Sequence, residues 1–353
     1  MENKKYEALR KELITYIKEN KLKRNDHLPT VREIITNSGY SYSTVNRTLI
    51  EMEKEGIISK HQGKGLYVDR IPNLLSDKQF ALIIPLDVNP HRIFIDIVAG
   101  VKEALEKENI SLLVAISNMN HEEERDVIER LISKNTDGLI LYLEDNYKKD
   151  FSHLVALKNK NIPFVLIDRF VPDFETDYVV VNNRGAMLKV CTYLKYKKEC
   201  DKIIFVPSND SSIAASSSDE KRIGYINAMR MLYGNDKDEI VPIDELLPRL
   251  NELSSSSKNL GISFNHDAMV TDMLKMLKDA NTELPANVHV FGYNNSRQHA
   301  MFPTVEQFNK EVGIKAAEIL IQKIKNPSIP LEQVYIEPKL ILPDDDGGFY
   351  QEA

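Results

Sequence analysis

Two kinds of hydrophobic pattern divide the chain. Up to about residue 56, apolar positions recur every three or four residues, as on one face of a helix. Beyond residue 79, short continuous apolar runs alternate with amphipathic segments. This change predicts a small, mostly helical N-terminal domain followed by a larger α/β domain.

The N-terminal domain is predicted to contain three helices and a β-hairpin. Leu9, Leu13 and Ile17 form one apolar face of the first helix. Thr30 followed by Glu33 is a capping-box pattern that begins the second. The predicted elements are helix Tyr6–Asn20, a helix from Thr30 to Gly39, a helix from Ser41 or Ser43 to Glu55, and strands Ile57–Lys60 and Leu66–Asp69. Three helices closed by a hairpin indicate a winged helix-turn-helix.

The larger domain is predicted to hold parallel sheets covered by helices on both faces. Its predicted strands are Phe80–Leu86, Ser111–Ile116, Gly138–Tyr142, Phe164–Ile167, Val179–Val181, Lys202–Val206, Gly261–Phe264 and Val288–Phe291. Its predicted helices are Phe94–Lys107, Glu122–Ser133, Ser152–Lys160, Arg184–Tyr196, Glu220–Leu232, Asp267–Asp279 and Glu311–Lys325. The domain is too long to form around one small sheet, so two α/β lobes are expected.

These patterns predict the following boundaries. The winged helix-turn-helix covers 1–70, a linker covers 71–78, the two-lobed domain covers 79–343, and a tail covers 344–353. The first lobe is expected at about 79–170 and 306–326, and the second at about 171–304 and 331–342. The serine-rich tracts 211–218 and 254–257 are interpreted as flexible loops.

Charge is distributed unevenly between the two domains. The 353-residue chain has a net charge of −7, but residues 1–70 carry +4 and the remainder −11. A basic N-terminal domain on an acidic body lets one part approach phosphate while the other repels it. Charge alone leaves the question open, because many solvated helices reach +4.

Composition narrows the class of protein. No stretch approaches the roughly 20 apolar residues that span a membrane, and the charged N-terminus lacks the apolar core of a secretory signal. Cys191 and Cys200 match no zinc or redox spacing. We therefore expect a cytoplasmic protein without a disulfide, a metal, a cofactor or a membrane partner.

The first domain resembles the GntR family of regulators. The matching residues are Leu28-Pro-Thr-Val-Arg-Glu-Ile34, Ser43-Thr-Val45, Leu49, Glu51-Met-Glu53, Glu55-Gly-Ile57 and Gln62-Gly-Lys-Gly65. The resemblance implies that the third helix enters the major groove of operator DNA and that the hairpin is the wing. The implied DNA-binding residues are Arg32, Ser41, Tyr42, Ser43, Thr44, Asn46, Arg47 and Lys64.

The chemistry of these side chains suits DNA. Arg47 can read guanine or hold a phosphate, and Asn46 can read adenine. Lys64, between two wing glycines, can approach the minor groove or a phosphate. The sequence has Tyr42 and Asn46 where family members often carry arginine, so its base preference is expected to differ. The alternative is that these residues form an ordinary solvated helix face.

The second domain resembles the sugar-binding domain of LacI-family repressors and ribose-type periplasmic binding proteins. The matching segments are Asp137-Gly-Leu-Ile140, Ile162-Pro-Phe-Val-Leu-Ile-Asp-Arg169, Val179-Val-Val-Asn-Asn183, Val290-Phe-Gly-Tyr-Asn294 and Pro303-Thr-Val-Glu-Gln307. Joined to a GntR domain, it is similar to the arabinose-repressor class. That class implies two lobes around a monosaccharide and a homodimer formed through the large domain.

The resemblance also implies an effector site between the lobes. The implied residues are Phe94, Asp168, Arg169, Lys221, Arg222, His266, Asn294 and Gln307. Asp168 can accept from sugar hydroxyls, Arg169 can donate to them, and Phe94 can pack on the apolar face of a sugar ring. Each can also be merely structural.

Three effector positions depart from the family. The family's arginine falls on Lys221 beside Arg222, its asparagine on His266, and its aspartate on Asn294. The site should therefore stay polar with an altered charge, and the family's specificity is not transferred.

The sequence thus predicts a DNA-binding transcription regulator, a repressor, whose operator affinity is controlled by a small sugar. The alternatives are a GntR-type regulator with a non-sugar effector or with an effector-independent dimerisation domain, and more remotely a sugar-processing enzyme. Serine-hydrolase, metalloprotease, Walker and dinucleotide fingerprints are missing from the sequence, so we expect no catalysis. A secreted solute-binding protein would need the signal peptide that the N-terminus lacks. The effector's identity, the operator sequence, the sign of the response and dimerisation without DNA are not readable.

Overall fold

A computed structural model describes most of the chain. The described residues are 2–61, 63–69, 78–85, 92–118, 120–134, 136–144, 150–208, 215–235, 237–296, 302–343 and 349–351. The chain divides into two compact units, Met1–Asp77 and Lys78–Ala353. Of the predicted linker 71–78, only Lys78 lies within the described residues.

The first unit contains three helices and one hairpin. The elements are α1 Glu2–Glu19, α2 Val31–Ser38, α3 Tyr42–Lys54, β1 Ile58–His61 and β2 Gly65–Val68. The strands pair antiparallel. The capping box is present, because the Thr30 hydroxyl accepts from the Glu33 amide and the Glu33 carboxylate accepts from the Thr30 amide. Gly39 ends α2 in the left-handed conformation, with φ +69°.

The second unit alternates strands and helices. Its strands are β3 Gln79–Ile84, β4 Ser111–Ile116, β5 Gly138–Tyr142, β6 Phe164–Ile167, β7 Asp177–Val181, β8 Lys202–Val206, β9 Leu260–Phe264, β10 Val288–Phe291, β11 Thr304–Glu306, β12 Gln333–Ile336, β13 Lys339–Pro343 and β14 Phe349–Gln351. Its helices are α4 Arg92–Glu106, α5 His121–Ser133, α6 Ser152–Asn159, α7 Asn183–Tyr196, α8 Ser216–Tyr233, α9 Ile243–Ser255, α10 Asp267–Asp279 and α11 Asn309–Lys325.

Two parallel sheets form the centres of two lobes. The first lobe has six strands in the order β12-β7-β6-β5-β3-β4, and the second has β10-β9-β8. A smaller antiparallel sheet has the order β11-β13-β14. The strands of both parallel sheets are mostly apolar and buried, as expected for sheets covered on both faces.

The lobe boundaries differ from those predicted. Strand β7 was expected in the second lobe, but it hydrogen-bonds β6 on one side and β12 on the other, so both β7 and β12 belong to the first. The chain crosses between the lobes three times, after β7, after β11 and after β12, because α7 packs on the second lobe and α11 on the first. Pairing of strands that are distant in sequence decides this, and hydropathy does not report it.

Two segments predicted to lack regular structure contain it. Ser254 and Ser255 end α9, which buries Leu246, Leu250 and Leu253 despite Pro248 inside the helix. The predicted tail contributes β14, which pairs antiparallel with β13. In the tract 211–218, residues 211–214 lie outside the described residues and 216–218 begin α8. Among the helices described here, none is long and apolar enough to cross a bilayer.

Candidate functional site

The start of α3 presents a group of hydroxyls. Ser41 is the N-cap residue, and its side chain accepts from the Thr44 amide at 3.4 Å. The Ser41 hydroxyl also lies 2.9 Å from that of Ser43 and 3.0 Å from that of Thr44. Beside them, Tyr42 is 64% exposed. Serines and a tyrosine at an exposed helix start are hydrogen-bond partners for phosphate or base edges.

Cationic side chains extend this polar face. Arg32 and Arg47 are exposed, and Asn46 is half-buried. The Arg47 guanidinium lies 4.6 Å from the centre of the Tyr6 ring, a cation–π contact that limits its motion without neutralising it. Within the described part of the chain, Arg32 and Arg47 form no ion pair with a carboxylate. Their charge therefore remains available to a polyanion.

The wing has a narrow tip. Gly63 and Gly65 have φ values of +75° and +101°, so the tip needs residues without a Cβ. Between them, the exposed Lys64 donates its amide to the His61 carbonyl at 2.9 Å, and its carbonyl accepts from the Tyr67 hydroxyl at 3.2 Å. These two hydrogen bonds fix the backbone of the turn that carries the exposed lysine.

A second polar site lies between the lobes of the larger unit. Asp168 follows β6 in the left-handed region, with φ +62°, and Arg169 beside it is only 9% exposed. Arg169 donates to the Leu143 carbonyl at 2.6 Å, and its Nε lies 3.5 Å from an Asp168 oxygen. The strained turn and these contacts fix both charged groups at the carboxyl ends of β5 and β6.

Aromatic rings flank this pair. The Arg169 guanidinium lies 4.9 Å from the centre of the Tyr142 ring. Tyr142 in turn meets Phe94 edge to face, with 5.4 Å between ring centres. The structure therefore brings the predicted Phe94, Asp168 and Arg169 together, with Tyr142 as a member that the sequence did not reveal.

Lys221 approaches the same region from α8 in the second lobe. It is 5% exposed, donates to the Asn265 carbonyl at 3.0 Å, and lies 3.9 Å from the centre of the Tyr293 ring. Burial lowers the pKa of Lys221 to about 8, and the nearby negative charge of Asp168 opposes that shift. The charges of Asp168 on the first lobe and Lys221 on the second therefore interact.

Three other predicted residues have less direct placements. His266 is the half-buried N-cap residue of α10, although its side chain does not cap the helix. Asn294 follows β10 with φ +96° and donates its amide to the Val305 carbonyl. Gln307 is buried on the segment that crosses from β11 to α11. All three lie on second-lobe loops or a crossing.

Arg222 is placed differently from Lys221. Its side chain is exposed, whereas Lys221 is buried, because adjacent helix residues point about 100° apart. The two were predicted together, but of the pair only Lys221 is buried and interacts with the charge of Asp168.

The sequence reading missed buried polar neighbours of the cleft. Asp267 is buried and accepts from the Thr304 hydroxyl at 2.6 Å and from Ser296. Burial raises the pKa of Asp267, and these hydrogen bonds limit the rise. The Asn265 side-chain amide donates to the Ser208 hydroxyl at 2.5 Å, while its buried Oδ1 has no hydrogen-bond partner in the described part of the chain. The one available signal was the run Asn-His-Asp at 265–267.

Comparisons with protein families agree with this division. Residues 5–68 match the model of bacterial regulatory proteins of the gntR family. Residues 77–241 match the model of periplasmic binding proteins and the sugar-binding domain of the LacI family.

The chain is similar to transcription regulators over most of its length and most of theirs. The arabinose metabolism transcriptional repressor of Geobacillus stearothermophilus is 23% identical over 96% of each chain. The HTH-type transcriptional regulator IdnR of Escherichia coli is 26% identical over 85% of this chain and 93% of its own.

Solved structures share the fold of the larger unit. A putative ribose operon repressor from Burkholderia thailandensis superposes with a TM-score of 0.64 at 17% identity, covering 74% of this chain and 98% of its own. The transcriptional regulator CelR in complex with cellobiose superposes with a TM-score of 0.62 at 18% identity, covering 89% of this chain and 99% of its own.

Proposed function

Since this chain joins a GntR-family DNA-binding domain to a domain of the LacI and periplasmic-binding-protein family, we propose that it is a sugar-controlled transcriptional repressor. Operator DNA binds to α3 and the wing of the first unit. A small sugar binds between the lobes of the second unit and controls the affinity for DNA. The protein acts as a homodimer in the cytoplasm and catalyses no reaction.

The observation that carries the proposal is the make-up of the cleft. Asp168, Arg169 and Lys221 offer buried acceptors and donors, while Phe94 and Tyr142 offer an apolar wall. Sugars present hydroxyls at their rims and C–H groups on their faces, so they need both kinds of surface. The relatives named for arabinose and the structure with cellobiose support a sugar over other small molecules.

The proposed mechanism is a shift of population. A sugar that contacts Asp168 and Arg169 on one lobe and Lys221 on the other binds the closed arrangement better than the open one. Only such a difference in affinity can move the equilibrium. In a dimer, closure changes the spacing of the two DNA-binding domains, and half-site spacing limits which geometries fit the operator. We propose that sugar releases DNA.

The testing experiment is a thermal-shift screen of the full-length protein against mono- and disaccharides and their phosphates. A ligand of the native state raises the melting temperature by mass action. A single class of sugar that raises it, and then weakens operator binding in a titration, is the expected result. No shift with any sugar would overturn the effector assignment and favour a non-sugar effector or an effector-independent dimer.

A further inference from the structure

Three potential metal ligands converge between two helices of the first lobe. His121 is the first residue of α5, Glu124 lies one turn further on the same helix, and His153 lies on α6. One ligand atom from each lies within 4.8 Å of the other two. Two histidines and a carboxylate are the donors of many zinc sites.

Two of the three side chains are buried, and their hydrogen bonding is incomplete. His153 is 6% exposed and Glu124 is 2% exposed. Nδ1 of His153 has no hydrogen-bond partner among the described residues. Its Nε2 lies within ion-pair distance of Glu124, and Nε2 of His121 lies within ion-pair distance of Asp150. Buried polar atoms without partners are rare, and an ion is one of the few physical reasons for them.

The distance between His153 and Glu124 is close to the distance between two ligands of one metal ion. His153 Nε2 is 3.0 Å from a Glu124 oxygen, a separation that also suits two ligands of one ion. Ligands of a tetrahedral zinc with bonds of about 2.0–2.1 Å lie roughly 3.3 Å apart. Small side-chain rotations would bring the third atom, from His121, to that distance.

The surrounding cavity favours a cation. It is too small to hold a water molecule, so an ion there would be held directly by the side chains. The described residues that line it include Glu144 and Asp150 besides the three ligands, and the rest are apolar. An Asp150 oxygen lies 3.6 Å from His121 Nε2, close enough to become a fourth ligand after a small movement.

We propose that His121, Glu124 and His153 form a binding site for Zn²⁺ or a similar borderline divalent cation. Histidine nitrogens disfavour Mg²⁺ and Ca²⁺, which take oxygen ligands. The sequence indicated no such site, because His121 and His153 come from different helices and have no characteristic spacing.

The site is linked to the end of β5. A Glu124 oxygen accepts from the Glu144 amide at 2.8 Å, and the preceding carbonyl, of Leu143, accepts from Arg169. A bound ion would therefore stabilise the loop end that also holds the effector-site arginine.

The test is calorimetric titration of untagged, chelator-treated, full-length protein with ZnCl₂. We expect one strong site per chain, unaffected by excess Mg²⁺. His121→Ala and His153→Gln should each lose more than roughly 100-fold in affinity, since even outer-shell changes cost 10–100-fold. His289→Ala, on β10 of the other lobe, is the matched control and should bind as the wild type does.

Two results would overturn the proposal. The first is a wild-type protein without a strong site, or cluster variants that bind like the control. The second comes from an experiment on the wild-type protein, which does not depend on whether a variant folds. Co²⁺ added to the wild-type protein should give the strong visible absorption of a tetrahedral site. The weak spectrum of hydrated octahedral Co²⁺ alone would exclude the site. Glu124→Gln, which keeps an acceptor for the Glu144 amide, serves as a third variant.

Discussion

The DNA-binding face and the effector cleft use charged side chains in opposite ways. Arg32, Arg47 and Lys64 are exposed, and within the described residues they form no ion pair. In the cleft, Arg169 and Lys221 are almost fully buried and are held by carbonyls, rings and a neighbouring carboxylate. The first arrangement suits a partner that brings its own charge, and the second a small polar molecule.

This difference in burial also predicts different free-energy penalties for removing an exposed charge and a buried charge. An exposed charge can be removed with little effect on folding, because water solvates it. A buried charge leaves unpaired neighbours when its partner is removed, and that penalty is larger. Substitutions in the cleft should therefore have larger effects on ligand affinity than substitutions on α3 have on DNA affinity.

The largest effect is expected for Arg169→Ala. Truncating one partner of a buried, hydrogen-bonded charge costs about 2–5 kcal/mol, so the effector response should be lost. Operator affinity without effector should equal that of the wild type, because Arg169 lies outside the DNA-binding unit. Titration of operator release with sugar measures both, with exposed Arg130→Ala as the control. A response at the wild-type sugar concentration would show that the cleft is not the effector site.

Lys221→Met should have the next largest effect. A hydrogen bond from a charged donor is worth about 1.5–3 kcal/mol, which corresponds to a loss of at least roughly tenfold in effector affinity. Arg222→Met, one residue away and exposed, should change the affinity less than twofold. Equal losses in the two variants would contradict the placement of Lys221 in the cleft.

The lowered pKa of Lys221 adds a pH dependence. An unfolded lysine holds its proton to about pH 10.4, whereas the native group releases it near pH 8. The unfolded state thus binds more protons between these values, so this group makes stability rise with pH there. Effector affinity should instead fall as the ammonium is lost. Lys221→Met should lack both trends in melting and binding measurements from pH 7 to 10.

Arg47→Ala and Lys64→Ala should weaken operator binding by about tenfold each. If each contacts a phosphate, the slope of log affinity against log salt should fall by about 1. The control is Lys54→Ala, at the other end of α3, where the lysine pairs with Glu51. Unchanged affinity at matched salt would exclude the recognition-helix and wing assignments.

The smallest effect concerns stability. Thr30→Ala removes the capping box and should destabilise the first unit by about 1 kcal/mol. The effector-binding unit should melt as before, since the two units are separately compact. Hydrogen exchange resolved by segment would report this, and Thr36→Ala on the exposed face of α2 is the control. Equal destabilisation of both units would show that they fold together.

Local pattern was enough to predict most of the elements. Strands β5, β6 and β8 lie where their continuous apolar runs placed them, because a strand buried on both faces has little polar sequence. Helix α9 was not predicted, because Pro248 and the serines are untypical of a helix although the leucines have helical spacing. The lobe membership of β7 depends on its pairing with β6, and that of β12 on its pairing with β7 about 155 residues away, and hydropathy encodes neither pairing.

The two sites differ in the same way. Most of the proposed DNA-binding residues are neighbours at the start of α3, so a motif locates them together. The cleft draws Tyr142, Asn265 and Tyr293 from the ends of separate strands, and each looks like an ordinary residue in its own segment. Only the sheet topology brings these ends together.

The three crossings between the lobes have a mechanical consequence. A lobe joined to its neighbour by one strand could twist and slide as well as tilt, whereas three links remove most of those rigid-body degrees of freedom. At one of them, the Asn182 amide donates to the Ile336 carbonyl at 2.9 Å, so two of the links are themselves tied together. Relative motion is then confined to rotation about the line through the links. The free energy of effector binding therefore drives one rotation between the lobes instead of several different motions.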